Sequence, residues 1–138
     1  VLQAITFSMG RGGTVSLHVR SGSCLGEAQT ASQGWEKICS SQVAMGRNRL
    51  MLPRGGATLV GPGAVLAIYL SFTEGADDLL YSDKPSQTTH KVLSEHRTLS
   101  EGMKLLCWRG RVTGVAPFSS GAHMDDRFFV GNIEYSLE

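Results

Sequence analysis

Thr14-Val15-Ser16-Leu17-His18-Val19-Arg20 is the stretch on which the fold turns. Val15, Leu17 and Val19 alternate with Ser16, His18 and Arg20 at the two-residue period of an extended chain, so one side of the strand is apolar and the other polar. Ala4 to Ser8 is a second short run upstream, with Gly10, Gly12 and Gly13 between the two. The pattern predicts a β-hairpin with one wet face and its tip at Gly10-Arg11-Gly12-Gly13.

The same grammar continues along the chain. Seventeen glycines are spread through it and read as turns punctuating short strands. Strands are expected at Leu50 to Leu52, Ala57 to Val60, Val65 to Phe72, Leu79 to Tyr81, Val92 to Leu99, Met103 to Trp108, Arg111 to Val115 and Phe128 to Leu137. Gly55-Gly56, Gly61-Pro62-Gly63, Gly102, Gly110 and Gly121 fall between or beside them. The expected fold class is therefore all-β, an antiparallel β-sandwich of jelly-roll type. Two stretches compete with strand. Leu25, Ala28, Trp35 and Cys39 could share one helical face, and so could Val92, His96, Leu99, Met103 and Leu106. Gly34 and Gly102 interrupt them, at about 0.5–1 kcal/mol each relative to Ala in a helix interior. One short helix near residues 25–40 is kept as an expectation, and the second stretch is read as strand.

A length of 138 residues suits one domain, residues 1–138, with a single core. At 41% hydrophobic and 18% charged residues the chain should fold, and a net charge of +1 gives no field that would favour nucleic acid. The longest apolar run, Ala64 to Leu70, is far short of the roughly 20 residues of a membrane-spanning helix, so no membrane insertion is expected. Residues 1–10 lack a charged segment followed by an apolar block. No signal peptide is read there, and the chain suits a mature form or an excised domain.

No catalytic constellation emerges, and no enzyme is expected. Gly61-Pro62-Gly63 lacks the third glycine of a dinucleotide loop and leads into a strand-like run, where a phosphate site wants a helix N-terminus. No Gly-x-Ser-x-Gly elbow marks a nucleophilic serine. His18, His90, His96 and His123 form no zinc-ligand spacing, and His123 with Asp125 and Asp126 reads as an acidic turn, so neither metal nor cofactor is expected. Cys24, Cys39 and Cys107 are too few for a disulfide scaffold; they read as free thiols, or as a Cys24 to Cys39 bridge with Cys107 buried. Arginine outnumbers lysine nine to four, and Arg suits bidentate recognition. Arg47, Arg49 and Arg54 form one basic group, and Lys104, Arg109 and Arg111 around Trp108 form another. Aromatic residues make up 7% of the chain, thin for a single-stranded nucleic-acid platform.

Thr98-Leu99-Ser100-Glu101-Gly102-Met103-Lys104-Leu105, followed by Arg127-Phe128-Phe129-Val130-Gly131-Asn132-Ile133-Glu134-Tyr135-Ser136-Leu137, resembles the last strands of the tumour-necrosis-factor and C1q jelly rolls. Gly34-Trp35-Glu36 and the region Leu50 to Phe72 are loosely similar to their early strands. Viral capsid jelly rolls and adenovirus-type fibre heads also end on a strand similar to Ile133-Glu134-Tyr135-Ser136-Leu137-Glu138. The resemblance implies a non-enzymatic homotrimeric head, extracellular or on a virion surface, that binds a cell-surface receptor of protein or glycan nature. Phe128, Phe129 and Tyr135 are the expected subunit-interface residues, and Arg109, Arg111 and His123 the expected receptor-binding residues. A structural shell domain is the alternative, and a small enzyme on a β-sandwich the third.

Overall fold

The computed structural model describes residues 1–22, 32–72, 81–82, 109–110, 123–124, 128–129 and 131–135. Strands β1 (Leu2–Met9), β2 (Gly13–Ser21), β3 (Glu36–Val43) and β4 (Gly46–Met51) are followed by a 3-10 turn at Gly56–Thr58 and by β5 (Leu66–Phe72). Among the described residues the next strands are β6 (Tyr81–Ser82), β7 (Arg109–Gly110), β8 (His123–Met124), β9 (Phe128–Phe129) and β10 (Gly131–Tyr135). One three-stranded sheet has the order β10-β1-β4 and the other the order β3-β2-β5; β6 pairs with β9, and β7 with β8. Every pairing among the described strands is antiparallel.

The two larger sheets form an antiparallel β-sandwich. Ile5 and Phe7 of β1, Leu50 of β4 and Ile133 of β10 bury their side chains in one core cluster with Val15, Leu17 and Val19 of β2. Leu66, Ile68, Leu70 and Phe72 of β5 and Ile38 and Val43 of β3 pack against it half-buried. Full burial of a side chain such as Phe7 or Leu17 contributes about 1.5–3 kcal/mol, and the half-buried ones contribute less.

The hairpin expected at the N-terminus does not form. Although β1 and β2 are consecutive, β1 pairs with β4 and β10, while β2 pairs with β3 and β5. Gly10-Arg11-Gly12 carries the chain from one sheet to the other, and Ala44-Met45 carries it back beside that crossing, since Met9 faces Gly46 and Gly13 faces Val43. The two arms thus make a single antiparallel ribbon folded over at a corner. The first arm has one residue more there, and a bulge restores the register further on, where Leu17 faces Cys39 but His18 faces Lys37. Gly12 lets the two arms approach closely at the corner: a Cβ on it would lie 3.0 Å from the Val43 carbonyl oxygen, a contact that the backbone would have to give way to accept.

Two further expectations are corrected. Residues 36–40, inside the expected helix near 25–40, are strand; pairing with β2 satisfies their backbone groups, which the sequence periodicity could not register. Ala57 to Val60 is not a strand. The Thr58 amide and hydroxyl both donate to the Gly55 carbonyl, at 3.1 and 2.9 Å, and wind the chain into the 3-10 turn. Gly61-Pro62-Gly63 forms a turn closed by Ala64 N–H donating to Gly61 O at 3.0 Å, and leads into β5. Val92 to Leu99, Met103 to Trp108 and Arg111 to Val115 lie outside the described residues.

Candidate functional site

The side of the β3-β2-β5 sheet turned away from the core collects the polar half of the β2 alternation. Antiparallel register sets the rows: Thr14 faces Gln42, Ser16 faces Ser40 and Ser71, and His18 faces Lys37 and Tyr69. Hydrogen bonds tie these rows together. Gln42 Nε2 donates to Thr14 Oγ1 at 2.7 Å, the Ser16 and Ser40 hydroxyls are 3.1 Å apart, and Ser40 Oγ also reaches the Val15 carbonyl at 3.2 Å. The face is wet only at its margin. Lys37, Ser40 and Gln42 on β3 are exposed, whereas Ser16 and His18 are 7% and 8% exposed. Ser16 and His18 stand on the central strand between β3 and β5, and their burial corrects the expectation of a wet β2 face.

An aromatic group occupies one end. Trp35 N–H donates to Ser32 O at 3.2 Å, closing a turn in which Gly34 has φ +81°. That value suits the third position of a type II turn, where glycine carries no steric cost. A Cβ on Gly34 would lie 3.6 Å from Arg20 Nε, so the turn rests on the Arg20 side chain. The turn delivers the Trp35 ring to Tyr69, centroids 5.7 Å apart at 61°, and Tyr69 meets His18 at 6.1 Å and 73°. Both contacts are edge-to-face, the arrangement that the ring quadrupoles favour. Burial lowers the His18 pKa below its ordinary value, and the Lys37 ammonium lowers it further.

The residues expected from sequence to carry recognition fall elsewhere. Arg109 lies on β7 opposite Met124, and His123 on β8 opposite Gly110, so the two are one register position apart; Arg111 is outside the described residues. Phe128 and Phe129 lie on β9 opposite Ser82 and Tyr81. Tyr135 lies on β10 opposite Leu2 and packs half-buried against the core. Cys39 is a half-buried free thiol on β3, its pKa raised by burial, and Cys24 and Cys107 are outside the described residues. Arg49 of the first basic group is engaged: its Nε donates to Glu134 Oε1 at 2.7 Å and its Nη2 to Glu134 Oε2. The pair joins β4 to β10 across β1.

Sequence reasoning missed Trp35, Lys37 and Tyr69 as members of one face. The available signal was the alternation of Ser40 with Gln42 and of Tyr69 with Ser71, but only the common neighbour β2 unites them. Among the described residues no three His, Cys, Asp or Glu side chains converge as a metal site would require, and no helix is long and apolar enough to cross a membrane.

Fold and face together define a β-sandwich with a polar and aromatic sheet surface, an architecture compatible with a binding domain. No family model, curated protein or solved structure matches the chain. The likeness to trimeric jelly-roll heads therefore rests on the sequence segments quoted above, and the architecture supports it only as far as a two-sheet antiparallel sandwich.

Proposed function

We propose that this domain is a non-enzymatic recognition head, assembling as a homotrimer in the extracellular space or on a virion surface and binding a cell-surface receptor. The observation that carries the reading is the outer face of the β3-β2-β5 sheet. The sandwich builds its core from the opposite side of the same strands, while Trp35, Tyr69, Arg20 and Lys37 gather on this one. Aromatic and basic side chains held on a rigid sheet are what a binding surface uses, because little conformational freedom is lost on contact. Arg109, Arg111 and His123 are further recognition candidates.

Trimerisation is supported by Phe128 and Phe129, consecutive residues of β9. Alternation along a strand assigns consecutive residues to opposite sides, and a neighbouring subunit would give the second ring an apolar surface. Sedimentation of the wild type and of the Phe128→Asp and Phe129→Asp variants tests the assembly, with cell binding by fluorescently tagged domain as the second readout. The expected result is a trimer that binds cells and that one of the two variants dissociates without loss of its strand signature. A wild-type monomer at high micromolar concentration would remove the trimeric reading, and large closed particles would point to a shell protein instead.

A further inference from the structure

We infer that the outer face of the β3-β2-β5 sheet is a binding site for a saccharide that carries a carboxylate. The inference rests on the recognition-head reading and specifies the chemistry of the ligand. A pyranose ring has apolar C–H faces and a rim of hydroxyls, each of which donates and accepts. Its site needs an aromatic surface beside side chains that can do both.

Trp35 and Tyr69 supply the aromatic surface, packed edge-to-face with centroids 5.7 Å apart and half-buried. The negative face of an aromatic ring attracts the positively polarised C–H groups of a sugar. Ser40, exposed on β3 one row along the face from His18, supplies a hydroxyl that donates and accepts, and Gln42, a further row along opposite Thr14, supplies an amide within reach of an extended saccharide and not of the ring on the aromatic pair. Both are already positioned, Gln42 by its 2.7 Å bond to Thr14 Oγ1 and Ser40 by Ser16 Oγ at 3.1 Å, so less side-chain entropy is lost when a ligand arrives.

Charge narrows the class. Lys37, opposite His18, and Arg20, beneath the Gly34 turn, bring two cations to this face. Glu36 is opposite Val19 in the register, and Val19 belongs to the core side of the sheet. No carboxylate shares the outer face among the described residues. An anionic sugar fits this balance better than a neutral one, with Lys37 as an exposed point charge and Arg20 as a planar donor. A nucleic acid would be drawn by a continuous basic track, and neither two cations nor a net charge of +1 provides one.

The test is an NMR titration of the full chain with sialyllactose, with lactose as the matched neutral sugar and with hexaglutamate as an acidic peptide. Sialyllactose should shift the Trp35 indole and the backbone amides of β2, β3 and β5, and bind about tenfold more tightly than lactose. Lys37→Gln should remove most of that preference, whereas Trp35→Ala should weaken both sugars by about tenfold. Lys37 is exposed, so its variant reports even if Trp35→Ala disturbs the fold. The inference is overturned if sialyllactose shifts no resonance of this face, if lactose binds equally well, or if hexaglutamate gives the same shifts at the same affinity. Cell binding separates it from the broader reading: retention of cell binding by both variants would leave a receptor-binding head and exclude this face. A sugar response from a domain that binds no cells would do the reverse.

Discussion

His18 shows how one residue can be polar in sequence and buried in the fold. It belongs to the polar half of the β2 alternation, yet it is only 8% exposed, enclosed beside Tyr69 and opposite Lys37. Burial first, and the neighbouring ammonium second, favour the neutral imidazole and lower its pKa from 6.5. In the unfolded chain the ring protonates near that ordinary value, so between it and the lowered folded pKa the unfolded state holds more protons. Stability is then fully present above about pH 6.5 and declines as pH falls towards the folded pKa. Urea melts of the wild type and His18→Gln across pH 5–8 should show this decline in the wild type and a smaller one in the variant. Equal slopes would mean that His18 does not carry the dependence.

At the scale of elements, the corner of the folded ribbon decides the topology. Asn48 pins it from β4: its Oδ1 accepts the Ala44 N–H at 3.0 Å, and its Nδ2 donates to the Ala44 and Gly46 carbonyls at 2.8 and 3.0 Å. One side chain thereby closes the return crossing, next to Gly46 with φ +96°. Asn48→Ala removes all three bonds from an exposed site where water partly replaces them, so the expected loss is about 1–2 kcal/mol. Chemical denaturation measures it, and the strand signature should be unchanged. A loss indistinguishable from zero would show that strand pairing alone holds the corner.

For the whole molecule, the contact between sheets matters more than any single ladder. Phe7 of β1 is 0% exposed and meets Phe72 of β5 edge-to-face, with centroids 6.3 Å apart at 65°. These rings come from different sheets, so truncating Phe7 opens a cavity on the plane that joins them. Phe7→Ala should cost about 3–5 kcal/mol. That is a large part of the roughly 5–15 kcal/mol by which domains are stable. Thermal or urea unfolding gives the value, and a cost below about 1 kcal/mol would mean that the sheets collapse around the gap.

The sequence by itself determined the strand class and the side of β2 that enters the core. Val15, Leu17 and Val19 recur with period two, and such a local pattern survives whatever the strand later pairs with. Val65 to Phe72 was legible for a related reason, since a short apolar run bounded by turn residues anticipates a strand, and it appears as Leu66–Phe72. Only the tertiary structure decided the pairing. Gly10-Arg11-Gly12-Gly13 suits a hairpin tip and a sheet-to-sheet corner equally, and the choice was made by β3, β4, β5 and β10 competing for the edges of β1 and β2. Residues 36–40 became strand for the same cause, because a partner ladder satisfies backbone groups that a helix would have satisfied internally. The candidate face was hidden for a longer-range reason. Trp35, Lys37 and Tyr69 lie on segments that never touch in sequence, and they meet only because β2 stands between β3 and β5 and sets the register of both.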